Sequence, residues 1–499
     1  MGLGINWRAT GNSWLLVNQI GYDAPFEGMK KLAPGSTLTV GGGRVKIEET
    51  PWEPASNSGR TAVDRMNLRD PDSQTTERPG TQGKTDASRK EYTTNEWWAE
   101  TVLRAIETFR NGRQVSLGLS GGLDSRVLLA LLSKSGIPLR THVYGLPDAP
   151  DVRVSTSINR KQAFGLGHRH YEPILPPVEE LAEAVFRHAS TTMATRPASD
   201  VLNLGMFSDI GESGSVLVDG GFGEIGRRQY LKRLWYLARW ALYRNDIRAI
   251  TKHLTAPKPA IFAPEVVAMM KEGLEETVER EWMRVRNAGL DMPATLDLFA
   301  LRHRVPNFGA PIQAVMDQML PNIMPLIHPE VLDASFAMPA RLKAGSRLFK
   351  NTIAHYAPEL QDFPLAKGET VVPYHQGFFK TQIEDRLRKI RRSRRFRRSE
   401  QSGNNGYTSN TSISSNTGNN SYTSNTGEKE FPASIPVLFL QHIEPWLRDH
   451  AGSREVRECG IYDMVALQMR LDAFSDGDIS QAAWLDWWLA FEGFRIRSS

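Results

Sequence analysis

Ser120-Gly121-Gly122-Leu123-Asp124-Ser125 is the stretch of this 499-residue chain whose residue types could most directly do chemistry. Glycines let backbone amides approach a ligand closely, and amides at a helix N-terminus present positive partial charge to an anion. Ser120 and Ser125 add hydroxyl donors. Asp124 is the odd member, because a carboxylate repels phosphate unless a cation lies between them. Its presence points to Mg²⁺, which binds through a few carboxylates, water and substrate phosphates. No Lys-Ser/Thr pair follows, so the spacing is not that of the Walker-type phosphate loop.

Such a turn needs a strand before it and a helix after it. Val115, Leu117 and Leu119 alternate as in a strand, whereas Val127, Leu128, Leu131 and Leu132 recur at helical spacing. From Gln114 to about Asp219 strand and helix patterns continue to alternate. Strands are expected at Val115–Leu119, Thr141–Tyr144, His168–Glu172 and Val216–Val218, with helices at Asp151–Phe164 and Val178–His188. The fold class this implies is α/β, a doubly wound parallel sheet, followed beyond Arg227 by a largely helical part. There Leu234, Leu237, Ala238 and Ala241 form one apolar face, and Trp484, Trp487, Trp488 and Phe491 another; such stripes read as core.

Upstream, "LAPGSTLTVGGGRVKIEET" reads as a hairpin, Thr37–Val40 and Arg44–Glu49 around a glycine turn. Arg69–Arg89 reads as a linker. A helix follows, with Thr93 and Glu96 at capping-box spacing and Trp97, Val102, Leu103, Ile106 and Phe109 on its buried side.

Composition narrows the class. Hydrophobic residues are 40% and charged residues 23% of the chain, ordinary for a soluble globular protein. Cys459 is the only cysteine, which excludes an intrachain disulfide and a multi-cysteine zinc site. With no apolar run of membrane-spanning length and no signal-like start, a cytoplasmic location is expected. Nine basic residues fall in Arg386–Arg398, and removing them turns the formal charge from +5 to −4. That run reads as a solvated helix end or as a contact for nucleic acid or anionic lipid. Residues 401–427 are nearly all Asn, Ser, Thr and Gly, with "NNGYTSNT" repeated as "NNSYTSNT", and are expected to be a disordered insertion.

The string Ser120–Ser125 resembles the SGGxDS signature of the ATP pyrophosphatases, the PP-loop superfamily. Three more stretches resemble the asparagine synthetase branch: "YGLPDAPDVRVS" at Tyr144, "VLVDGGFGEIGRRQY" at Val216, and "LAPGSTLTV" at Leu32. The resemblance implies an ATP-dependent, amide-forming, AMP-forming ligase. A carboxylate of a small molecule or peptide is adenylated with release of pyrophosphate, and ammonia or an amine then displaces AMP. It implies ATP and Mg²⁺ as cofactors. Ser120, Gly121, Gly122, Asp124 and Ser125 would hold the pyrophosphate, and Leu119, Tyr144, Asp219 and Gly220 would contact AMP. Asp124 and Glu224 would be metal ligands. Lys367, in "FPLAKGETVVPY", falls where the family has an active-site lysine that could offset charge on the α-phosphate; it also reads as a surface lysine beside a loop glycine.

The resemblance divides the chain into residues 1–90, a remnant of a glutaminase-like domain plus linker; 91–385, the ATP-binding synthetase domain; 386–430, the basic run and Asn-rich insertion; and 431–499, a C-terminal helical part. Two departures bear on function. Gly2 stands where the glutaminase half carries its catalytic cysteine, so either the sequence starts inside a longer protein, or a separate protein supplies ammonia, or the nucleophile is an amine of the substrate. Gly221 stands at the family's glutamate that helps nitrogen attack. A lasso-peptide or β-lactam type cyclase, an RNA-modifying PP-loop enzyme and an inactive relic are the alternative readings. The RNA enzyme is disfavoured because its loop usually lies near the N-terminus and is accompanied by cysteines.

Overall fold

A computed structural model describes residues 4–16, 19–54, 85–161, 167–227, 231–255, 260–368, 370–375 and 434–498. The basic run Arg386–Arg398 and the Asn-rich insertion lie outside the described residues.

The organising element is a five-stranded sheet. Ser36–Gly41 (β1) and Arg44–Glu49 (β2) form the expected antiparallel hairpin apart from it. Val115–Gly118 (β3), Leu139–Tyr144 (β4), His168–Tyr171 (β5), Val216–Val218 (β6) and Asn322–Ile323 (β7) pair in parallel in the order β5-β4-β3-β6-β7. Four strands fall where the sequence places them, β3 and β5 each one residue shorter than expected and β4 starting two residues earlier. β7 adds a fifth, which no pattern marks because it is two residues long.

The sheet is covered on both faces, as a parallel sheet must be. Val115, Leu117, Val216 and Val218 enter one core with the helices Thr85–Arg110, Leu123–Leu132 and Arg347–Tyr356. Leu217, between the two valines, enters a second core with Val185, Phe207 and Ile210 of the helices Val178–Thr192 and Leu204–Glu212. Helix Leu123–Leu132 follows β3 and is buried all round, Asp124 alone of its ten residues being less than fully enclosed. A helix so apolar on every side can only sit in a core.

The second core also gathers the chain's two extremes. Trp14 of helix Trp7–Trp14 lies edge-on to Phe262 at 5.0 Å and to Phe491 at 5.6 Å. Phe491 belongs to the last helix, Ala482–Ser498, where Trp488 is also buried, as its stripe requires. No helix among the described residues is long and apolar enough to cross a membrane.

Two local expectations are corrected. The helix expected to start at Thr93 begins at Thr85, so Thr93 lies within it and not at its N-terminus. Its buried stripe is Trp98, Ala99, Val102, Ala105 and Ile106, whereas Phe109, past the last of these, is 43% exposed. Leu237 is exposed although Leu234, Ala238 and Ala241 are buried. The helix breaks at Ala238 (φ −132°, ψ 26°), and the break resets the helical phase that had aligned them.

Candidate functional site

Strand order reverses between β3 and β6. In an open α/β sheet the crevice outside the carboxyl ends of the strands at such a switch point is where ligands bind. The two glycine-rich segments that the sequence singles out are the loops leaving those two strands.

The first loop, Leu119–Gly122, is built from its own hydroxyls. Ser120 Oγ and Ser125 Oγ lie 3.0 Å apart, and the Ser120 amide donates to Ser125 Oγ at 3.1 Å. The Gly122 amide donates to Ser120 Oγ at 3.2 Å. Gly122 is the N-cap of helix Leu123–Leu132 and supplies no side-chain cap. The first turn thus keeps the electropositive character of a helix start, worth most to an anion placed directly on it. The Gly121 amide donates to Asp151 Oδ1 at 2.7 Å. Asp151 is in the first turn of helix Pro150–Arg160, so this bond ties the loop to the segment after β4. Leu119 is buried in the core, which leaves its main chain as the part able to meet a ligand.

The second loop packs directly on the first. Gly220 fits against the helix start: a Cβ there would lie 2.9 Å from the Ser125 amide nitrogen and 3.0 Å from the Asp124 carbonyl carbon. Asp219 is held by the Gly221 amide, which donates to Oδ1 at 2.9 Å; burial raises its pKa, the Gly221 bond and Arg196 opposing. Phe222 takes a left-handed backbone (φ 63°), rare for a bulky side chain. Its ring packs where Gly309 has no Cβ, in a π-helical turn Val305–Gly309. Strained residues and π-turns concentrate at functional sites.

Asp124 meets Arg227 at the junction of the two loops. Arg227 Nε lies 2.5 Å from Oδ1, and Nη2 donates to Oδ2 at 2.6 Å. Burial pushes the Asp124 carboxyl up to about 6 against the pull of Arg227, with Glu224 and Asp219 adding to the rise. Glu224 pairs with Arg304 at 3.2 Å. The group that faces the Asp124 carboxyl from this loop is Gly223, where a Cβ would be 2.4 Å from Cγ.

A third element closes over the first loop. Arg126 is buried and donates from Nη1 to the carbonyls of Leu360 and Phe363 (3.1 and 2.8 Å) and from Nη2 to those of Gly121 and Pro364 (3.2 and 2.7 Å). It staples the loop to Leu365–Lys367 (β8), which pairs with Thr370–Val372 (β9). The Ala366 amide donates to the Gly121 carbonyl at 3.0 Å. Lys367 is therefore one residue from the loop, with an exposed side chain at the hairpin turn. Tyr144 ends β4 at the same carboxyl edge of the sheet, packed against the second core, and its hydroxyl is buried without a hydrogen-bond partner. Orphaned buried hydroxyls are uncommon and fit a site completed by a ligand.

The structure thus brings Leu119, Ser120, Gly121, Gly122, Asp124, Ser125, Asp219 and Gly220 together at the carboxyl ends of β3 and β6, with Tyr144 at the end of neighbouring β4 and Lys367 next to the Ala366 that bonds Gly121. Glu224 is near enough to act on Asp124 electrostatically but is turned to Arg304. As arranged, the Asp124 and Glu224 carboxylates do not fit a protein-held Mg²⁺, because each is committed to a guanidinium and Gly223 faces Asp124. No cluster of three or more His, Cys, Asp or Glu among the described residues could hold a metal. Arg227, Arg126, Asp151 and Arg304 were not legible as site residues. Each acts through a partner far away in sequence or, for Arg126, through carbonyl groups that carry no side-chain signature. No protein-family model and no curated protein matches the chain.

Proposed function

We propose that this chain is an ATP pyrophosphatase of the asparagine synthetase type, a ligase that activates a carboxylate as its adenylate and passes it to an amine. The observation that carries the reading is the contact of the two loops at the switch point, Gly220 against the Ser125 amide. It sets the second glycine-rich loop against a glycine-capped helix start that carries the Ser120 and Ser125 hydroxyls.

On this reading the amides of the first helical turn, from Leu123 onward, and the hydroxyls of Ser120 and Ser125 hold the β- and γ-phosphates as the pyrophosphate leaving group. The nucleoside lies toward Tyr144, Asp219 and Gly220, with the main chain of Leu119 beneath it. A substrate carboxylate oxygen attacks the α-phosphorus, and the bond from that phosphorus to the β-bridging oxygen breaks. Lys367, brought close by the Ala366–Gly121 bond, offsets the charge that gathers there. The amine nitrogen then attacks the acyl carbon, AMP leaves, and the nitrogen loses a proton. Mg²⁺ enters as the counter-ion of ATP. The amine is ammonia, from solution or a separate protein, or an amine of the acyl substrate.

Exchange of labelled pyrophosphate into ATP, run across a panel of small carboxylates and short peptides, tests the reading. Exchange dependent on one class of carboxylate supports it and names the acyl substrate. Release of ADP and phosphate in place of AMP and pyrophosphate would refute it.

A further inference from the structure

We infer that Arg227 is the resident cation of the phosphate loop, holding the position beside Asp124 that a divalent ion would need and contacting the phosphate chain itself. The inference rests on reading the Ser120–Ser125 loop as a phosphate site, and it assigns that site a ligand contact made without a protein-held metal.

Four observations converge. The first is the ion pair: Nη2 donates to Oδ2 at 2.6 Å, and Nε stands 2.5 Å from Oδ1 without the alignment of a second hydrogen bond. A charge-assisted bond between guanidinium and carboxylate is among the stronger pairings in proteins. The second is the shape of the facing loop. Gly223 is pressed against Asp124 so closely that a Cβ would fall 2.4 Å from Cγ, leaving no room for an acidic side chain at that position. The third is Glu224, the nearest acid of that loop, which is drawn to Arg304. A two-carboxylate cradle for Mg²⁺ is therefore missing one wall and has a guanidinium on the other.

The fourth is access. The Asp124 and Arg227 side chains are 20% and 19% exposed, so the pair is enclosed but not sealed from solvent. Asp124 accepts a hydrogen bond from Nη2, while Nε is a buried donor with no hydrogen-bond partner. The guanidinium carbon is 5.8 Å from the Phe349 ring centroid, and Phe349 is itself fully buried, so the planar group rests on a rigid floor. A guanidinium fixed on one edge by a carboxylate still presents N–H donors to a phosphate, which it matches in geometry better than an ammonium does. This also accounts for an aspartate in an anion loop. Asp124 fixes the cation that the ligand meets.

The class of ligand is thus a nucleotide or pyrophosphate whose phosphate chain is recognised without a protein-bound metal. The test is equilibrium binding of ATP and of inorganic pyrophosphate to the full chain, in excess EDTA and in excess Mg²⁺. Arg227→Lys keeps the charge but loses the planar group and its extra N–H donors. Arg227→Met leaves a buried carboxylate unpaired, so Asp124→Asn/Arg227→Met serves as the variant that removes the cation without stranding its partner; melting curves confirm folding. Wild type should bind ATP in EDTA within about threefold of its affinity in Mg²⁺, and the double variant should lose about tenfold or more in EDTA, a difference of roughly 1.4 kcal/mol. Arg227→Lys should fall between them. If wild type binds only with Mg²⁺ and the double variant matches it, the role given to Arg227 is wrong while the phosphate loop stands. If neither ligand binds under either condition, the phosphate-loop reading falls and the inference with it.

Discussion

The Asp124 carboxylate and the Arg227 guanidinium, 103 residues apart in sequence, lie edge to edge where the loop after β3 meets the loop after β6. The pair is structural as well as functional. Asp124→Ala strands a guanidinium in a largely enclosed position, and it should cost about 2–3 kcal/mol, the low end for a broken buried pair because a fifth of each side chain meets solvent. Asp124→Asn/Arg227→Met should recover part of that loss. Urea denaturation of the single and double variants measures both, and an Asp124→Ala protein as stable as wild type would show that the pair contributes nothing.

Arg126→Lys should separate the phosphate loop from the hairpin that carries Lys367. Lysine keeps the charge but cannot reach four carbonyls from one planar group. A loss of about 2–4 kcal/mol is expected, from several charge-assisted bonds of which only part are replaced. Pyrophosphate exchange should fall further than ATP binding, since the loop itself is less disturbed than the lysine's approach to it. Equal losses of both would argue that Arg126 serves stability alone.

Gly220→Ala adds one methyl where two backbones touch, 2.9 Å from the Ser125 amide nitrogen. No flexible side chain can yield there. The helix start and the second loop must part, at a cost of about 1–3 kcal/mol typical of overpacking, and ATP binding should weaken with it. Gly214→Ala, at a left-handed turn with open space around it, is the control for a glycine lost to backbone strain. It should lower stability but leave ATP affinity at the wild-type value in isothermal titration.

Asp486 gives the fold a pH dependence that a single substitution removes. Burial, opposed by the Ser199 hydroxyl and amide that both donate to it, pushes its carboxyl up to about 7. A carboxyl with a higher pKa folded than unfolded takes up a proton on folding, so its effect on stability is least harmful below the unfolded pKa and grows worse as pH rises toward 7. Stability should fall between pH 4 and pH 7, by on the order of 3 kcal/mol from this group. Asp124, raised to about 6, acts in the same direction. Asp486→Asn should flatten the decline measured by urea midpoints at several pH values; an unchanged slope would mean that Asp486 titrates normally.

The crevice was largely legible in the sequence because its parts are local. Val115, Leu117 and Val216–Val218 announce strands by composition, and a glycine-rich turn after each marks the carboxyl ends where a switch point can form. What joins the two turns is not local. Arg227 reads in isolation as one of two consecutive basic residues on a helix end, and nothing in its spacing indicates Asp124. Arg126 sits in a helix buried on every side, a place where an arginine makes sense only once the carbonyls of Leu360–Pro364 are folded over it. β7 was missed for another reason: two residues in "LPNIMPLI" are too few to show a period. The exposed Leu237 records a break in the chain at Ala238 that hydrophobic periodicity does not foresee.

The measurement closest to the central claim is the fate of ATP in the presence of carboxylates and hydroxylamine, a small amine that captures acyl-adenylates as hydroxamates. With a suitable carboxylate the chain should form AMP, pyrophosphate and hydroxamate in equal amounts, and Ser125→Ala and Lys367→Met should each reduce all three together. Absence of ATP binding in the full chain, or cleavage of ATP to ADP and phosphate with no hydroxamate, would contradict the account.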